Sequence, residues 1–252
     1  MIKNLIKHFR FTIYLYVLIG FNYSFAGSYE DYFQALKRDD VAAVQQLLGR
    51  GFDVNTPDPQ GQLGLMIAIR EPSPKVASSL VDAPKIDLNA LNAQDESALM
   101  LACLKGQTAL AEKMIGKGAD VNKTGWTPLH YAASGGHVAL IRLLLEHHAY
   151  IDAMSPNRTT PLMMASMYGS PAAVQALLEE GADPLLTNLQ GLTALQFAQR
   201  ANQPDSAELI IKGIRSKSPA GSGESAPALI FRVKGRGLKA IEPRRVVHQN
   251  AL

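Results

Sequence analysis

One phrase recurs along this chain of 252 residues. "LGLMIAI" centres on Leu65, "ESALMLAC" on Leu99, "WTPLHYAA" on Leu129, "TTPLMMAS" on Leu162 and "LTALQFAQ" on Leu195, in steps of 34, 30, 33 and 33 residues. An apolar cluster follows each of the first four anchors ("SSLV", "KMI", "LLL", "LL"), and "GKGADVN" and "EEGADPL" supply glycine-containing turns after two of them. The stretch "YFQALKRDDVAAVQQLLGRGFDVN" fits the same frame, with Tyr32 as its anchor 33 residues before Leu65. Self-similarity at this period points to a stack of small units, none of which can bury its apolar face alone.

Each unit has the signals of two short helices. Thr127 is an N-cap residue, and Pro128 falls at the first helical position, where a missing N–H costs nothing. Leu129, Ala132 and Ala133 give that helix a face of small and apolar residues, so neighbouring helices can approach closely. Val138, Ile141, Leu144 and Leu145 have the spacing of a second, amphipathic helix.

From about residue 29 to 213 the chain resembles ankyrin repeats, most fully in "GWTPLHYAASGGHVALIRLLLEHHAYID". The resemblance implies an all-α solenoid of about six helix–turn–helix units with β-turn fingers. The units lie near 29–60, 61–94, 95–124, 125–157, 158–190 and 191–213, within a domain at 27–215. Two departures carry expectations. "REPSPKV" in unit two, at the helix–helix turn, predicts irregular helices there. "ADVNKTGW" closes unit three with three residues fewer than its neighbours, which predicts a clipped finger.

The repeat also bears on the histidines. Four of the six, His130, His137, His147 and His148, fall between residues 127 and 148 and could suggest a metal site. His130 and His137 occupy consensus positions of the resembled family, which implies structural roles, with His130 bonding near the Thr127 cap and the next turn. His147 and His148 lie at the far end of the second helix, away from His130. No metal ligand set, cofactor or catalytic residue is expected. Ser134 lacks the G-x-S-x-G setting of a hydrolase nucleophile, and "GKGAD" lacks the spacing of a phosphate loop. Cys103, the single cysteine, excludes an internal disulfide and a cysteine-rich zinc site, and takes a small-residue core slot.

Charge divides the chain. Residues 27–215 carry 15 basic and 20 acidic side chains, whereas 216–252 carry seven basic and two acidic. The acidic body argues against nucleic acid as a partner. The tail at 216–252 begins as a Ser/Gly/Pro linker, continues as a basic and flexible segment, and suits an acidic surface, the concave face of its own body included, or a membrane face. Residues 1–26 have a basic start, a short apolar run and small residues at Ser24 and Ala26, the pattern of a signal peptide cut before Gly27. No membrane span is expected after cleavage. The sequons at Asn122 and Asn157 lie near turn fingers, where glycans would obstruct binding, which favours a bacterial periplasm over a eukaryotic secretory route, with secretion as the alternative.

The resemblance implies a monomeric protein-interaction module whose partner meets the fingers and the exposed ends of the first helices. In the corresponding slots stand Arg70, Leu104, Lys105, Trp126, Met167, Tyr168 and Arg200. Leu104, Trp126, Met167 and Tyr168 are expected side by side across units three to five. A sharper form of the same role is an inhibitor or immunity protein for a secreted or toxic enzyme. A metal-binding or catalytic protein using the histidine cluster is the remaining alternative.

Overall fold

Small-residue faces, with a capping residue every 30 to 33 positions from Ser97 to Thr193, produce paired short helices. The computed structural model describes residues 27–217, and the segment read as a signal peptide and the chain after 217 lie outside them. Among the described residues there are twelve helices: α1 (residues 27–37), α2 (Val41–Gly49), α3 (Gly64–Arg70), α4 (Pro74–Val81), α5 (Ala98–Leu104), α6 (Thr108–Gly116), α7 (Pro128–Ser134), α8 (Val138–Glu146), α9 (Pro161–Tyr168), α10 (Pro171–Glu179), α11 (Ala194–Arg200) and α12 (Pro204–Lys217). The odd-numbered helices from α3 to α11 pack side by side as an inner layer, and the even-numbered ones from α2 to α12 form an outer layer behind them. The core runs unbroken between the layers. All six anchors, Tyr32, Leu65, Leu99, Leu129, Leu162 and Leu195, are at most 5% exposed.

Reciprocal caps start four inner helices. Ser97, Thr127, Thr160 and Thr193 stand at the N-cap, and the backbone N–H of each donates to the side chain three residues on, Met100, His130, Met163 or Gln196. This is a capping box built with three kinds of acceptor, the methionine sulfur, the imidazole nitrogen and the glutamine oxygen. α3 has no such cap. It begins at Gly64, where a Cβ would collide with the hydroxyl of Tyr32.

The expected irregularity of the helices of unit two is corrected. α3 and α4 are regular, and the departure is confined to the three residues between them. Glu71 precedes Pro72 and takes the extended backbone (φ −77°, ψ 127°) that a following proline favours, while Pro74 sits at the first position of α4.

Fingers project between units. Residue pairs 58/62, 92/96, 155/159 and 188/192 each close a tight turn by a backbone hydrogen bond of 2.8–3.1 Å. The first residue of each pair, Asp58, Asn92, Ser155 or Asn188, also accepts backbone N–H groups of its own turn. As expected, the connection after α6 is shorter: eleven residues separate α6 from α7, against fourteen between α8 and α9, and no pair closes there. Lys123 occupies that gap and pairs with Asp95 of the preceding finger at 2.5 Å.

Asparagines join the units on the loops behind the fingers. Asn55, Asn89 and Asn122 each accept the N–H of the next unit's loop (Asp87, Asp120, Tyr150) and donate to a carbonyl in it (Lys85, Gly118, His148). Asp152 takes the acceptor part of this role for Asp183. The last helix runs through Lys217, so Ser216 and Lys217 continue α12, and Ser216 donates to the Gly213 carbonyl at 2.9 Å.

Candidate functional site

Side chains two and five places after each anchor share one face of an inner helix, because residues three apart are helical neighbours. In units two to six these slots hold Ile67/Arg70, Leu101/Leu104, Tyr131/Ser134, Met164/Met167 and Phe197/Arg200. Ile67 and Leu101 are covered, whereas Tyr131, Met164 and Phe197 are half-buried and Leu104 is 38% exposed. The face is therefore a strip with an apolar centre and a cation at each end. Tyr131, Met164 and Phe197 were not singled out from the sequence. Their slot reads as core, and their size leaves them only partly covered in a single layer of helices.

Finger residues close over one side of this face. The Glu96 carboxylate accepts from Arg70 at 2.8 Å, from Tyr131 at 3.0 Å and from Asn92 of its own finger at 2.8 Å. Three successive units are thereby held by one buried-edge carboxylate, whose side chain is 16% exposed. Burial, followed by the adjacent Glu96 charge, pushes the Tyr131 hydroxyl well above its ordinary range, so it remains a proton donor.

The sequence-derived residues separate into two groups. Leu104, Lys105, Met167, Tyr168, Arg70 and Arg200 stand at the C-terminal ends of inner helices. Of these, Tyr168 is the most exposed apolar group, at 59%. Trp126 stands at the opposite, finger end of α7, half-buried, with its ring edge-on to His130 at 5.2 Å. A seven-residue helix, about 10 Å long, lies between the two levels. At the upper level unit four offers only Ser134 and Gly135 between Leu104 and Tyr168. The four residues border one face without forming a contiguous cluster.

The upper ends are stitched together. Asp39 accepts the Val76 N–H at 2.8 Å, Gln107 donates to the Ile69 carbonyl at 3.2 Å, His137 Nε2–H donates to the Leu104 carbonyl at 3.1 Å, and Ser170 donates to the Gly136 carbonyl at 3.4 Å. His130 works at the lower level. Its Nδ1 accepts the Thr127 N–H at 3.2 Å, and its Nε2–H donates to the Thr159 carbonyl of the next unit at 2.9 Å. Complete burial pushes the ring down to about 4, so it is neutral at pH 7. Both consensus histidines connect neighbouring units. His147 and His148 are exposed at the end of α8, and among the described residues no group of three or more His, Cys, Asp or Glu side chains could hold a metal ion. Burial pushes the Cys103 thiol up to about 12, which leaves it protonated and inert.

The concave face differs in sign from the body. Around the ends of the inner helices it carries Lys37, Arg38, Arg70, Lys105 and Arg200 against Asp39, Glu71 and the Glu96 that meets Arg70, a net +2 within a segment of net −5. The acidic surplus sits elsewhere, as in the row Asp53, Asp87, Asp120 and Asp183 on the loops after the outer helices.

Comparison with known proteins agrees with this geometry. The family described as ankyrin repeats (3 copies) matches residues 32–124, 80–155, 99–188 and 148–219. The ankyrin repeat protein YahD of Escherichia coli (strain K12) is 30% identical over 194 residues, spanning 72% of this chain and 94% of YahD. Among solved structures, a chain of the complex of the Bd0816 predatory endopeptidase from Bdellovibrio bacteriovorus with immunity protein Bd3460 superposes with a TM-score of 0.63 at 28% identity, covering 72% of this chain and 97% of that one. An ankyrin repeat domain from Acinetobacter baumannii AYE gives 0.62 at 26% identity, with 72% and 96% covered.

Proposed function

Since the chain belongs to the ankyrin repeat family, we propose that it is an exported, monomeric, non-catalytic module that binds another protein through its concave face. One observation carries this: the centre of that face is apolar and open, with Tyr131, Met164 and Phe197 half-buried, Leu104 and Tyr168 more exposed, and the rim fixed by hydrogen bonds between units. A preformed apolar patch with a polar rim is the anatomy of a binding surface.

The test uses protein beginning at Gly27, the N-terminus that export implies and that mass spectrometry of the natural protein checks. Wild type should capture a stoichiometric partner from the cell envelope. The Trp126→Ala, Tyr168→Ala double variant should weaken that complex by about 2 kcal/mol or more, as hot-spot truncations do. Tyr168→Ala alone should leave the urea midpoint nearly unchanged, within about 1 kcal/mol. Undiminished capture by the double variant places the partner elsewhere.

A second, sharper role is favoured by one comparison. The solved complex contains a predatory endopeptidase and an immunity protein, and this chain matches 97% of one of its chains. By that likeness the partner is an enzyme, held inactive in the periplasm or outside the cell. One equivalent of this protein should then abolish the activity of the enzyme it captures. A captured enzyme of unchanged activity rejects inhibition and leaves binding intact.

A further inference from the structure

The concave face has a charge pattern as well as an apolar centre, and the pattern specifies what can lie on it. Lys37 and Arg38 end α1, Arg70 ends α3, Lys105 follows α5 and Arg200 ends α11. All five are exposed, and among the described residues only Arg70 has an ion-pair partner, Glu96. Between Lys105 and Arg200 the face carries no charge at these slots: it holds Tyr131, Ser134, Met164, Met167, Tyr168 and Phe197. Tyr32 of α1 packs on Gly64 at the start of α3, and adjacent helices pack about 8–10 Å apart, so α1 and the five inner helices set the outer cations about 40–50 Å from each other. The bonds from Gln107, His137 and Ser170 hold the ends of α3, α5, α7 and the turn after α9 in register.

Resting on the protein-binding reading, we infer that the partner presents an apolar segment flanked on both sides by carboxylates. The apolar segment covers the Tyr131–Met164–Phe197 strip, and the carboxylates meet Lys37, Arg38 and Lys105 at one end and Arg200 at the other. Burial of the centre supplies affinity, while the flanking charges set register and speed association. A nucleic acid fits less well. Its charges are closely and evenly spaced, whereas the middle of this face is uncharged over two units and the segment as a whole is acidic.

The probe is a fluorescein-labelled fifteen-residue peptide with a Leu-Phe-Leu-Gln-Leu-Phe-Leu centre and four glutamates on each side, long enough when extended to span about 50 Å, followed by anisotropy against the full chain from Gly27 at low salt. Its glutamine counterpart and a single-stranded thymidine oligomer are run beside it. Saturable binding of the glutamate peptide is expected, with the glutamine form weaker by about tenfold or more. Lys37→Glu, Lys105→Glu, Arg200→Glu together should weaken the glutamate peptide by a similar factor. Lys75→Glu, Lys212→Glu, Arg215→Glu, on exposed sites of the outer helices, should leave it within about twofold. Absent binding, equal binding of the glutamine form, or equal loss in the outer variant overturns the inference. So does a thymidine oligomer bound as tightly as the peptide, which would show the cations reading phosphate. If the natural partner depends on Trp126 and Tyr168 but is captured unchanged by the inner triple variant, the charge inference falls and the protein-binding reading stands.

Discussion

His130 gives the stack a calculable response to acid. The ring is wholly buried, its Nδ1 holds the Thr127 N–H, and its Nε2–H holds the Thr159 carbonyl one unit on. Burial lowers its pKa from 6.5 to about 4. Above pH 6.5 the ring is neutral in folded and unfolded chains alike, and the group adds no pH dependence. Between 6.5 and 4 the unfolded chain takes up a proton that the folded chain excludes, so stability falls as pH falls. Below 4 the loss levels off. A difference of this size corresponds to about 3 kcal/mol in full, and to about 2.5 kcal/mol by pH 4.5. The perturbation that isolates it is His130→Gln. Unit six already uses glutamine in this slot, where the Gln196 Oε1 accepts the Thr193 N–H at 2.8 Å. The variant should keep the cap, lose about 1 kcal/mol at pH 7.5 through a weaker bond to Thr159, and lack the titration. Urea melts of both proteins at pH 7.5 and 4.5 provide the assay, read by the emission of Trp126, the single tryptophan, whose ring lies against His130. Carboxylates titrate in both proteins and cancel in the difference. Wild type should lose about 2–3 kcal/mol more than the variant on acidification. Parallel losses, agreeing within about 0.5 kcal/mol, would refute the assignment of a buried neutral ring as the acid-sensitive joint.

Three further outcomes follow from the packing. Leu129→Ala should cost about 2–5 kcal/mol in urea melts, because the side chain is completely buried between α5 and α9, and the damage should reach units three and five. Asn89→Ala removes both bonds to the next loop and should cost about 1–3 kcal/mol, with faster hydrogen exchange at the Asp120 N–H it accepts. His148→Gly should stabilise the protein by about 0.5–1 kcal/mol, because His148 holds φ 64° in the slot where Gly51, Gly118 and Gly181 stand.

Local features of the stack were legible in the sequence and relations across units were not. Every anchor leucine is in the core because its slot is defined by residues within one helix turn. The clipped finger followed from counting residues. Unit two was misjudged because two prolines look disruptive until their positions are known: one follows an extended residue and the other opens a helix. The Arg70–Glu96–Tyr131 contact joins residues 26 and 35 positions apart across three units and depends on how closely the helices stack. Likewise Trp126 and Leu104 both belong to exposed slots, but only the helix length between them reveals that they stand at different heights.

The asparagine ladder makes the number of units adjustable. Asn55, Asn89 and Asn122 hold the following loop by the same two bonds, whatever the intervening residues are. Excision of residues 90–122 would set Asn89 directly before Lys123, at the distance from the His148–Tyr150 loop that Asn122 now has. The loop bonds of the junction would be kept in a chain one unit shorter, while the Glu96 contacts to Arg70 and Tyr131 would leave with the excised unit. A gene encoding such a stack can gain or lose a repeat by unequal recombination and keep its loops bonded, so the length of the binding face is open to selection.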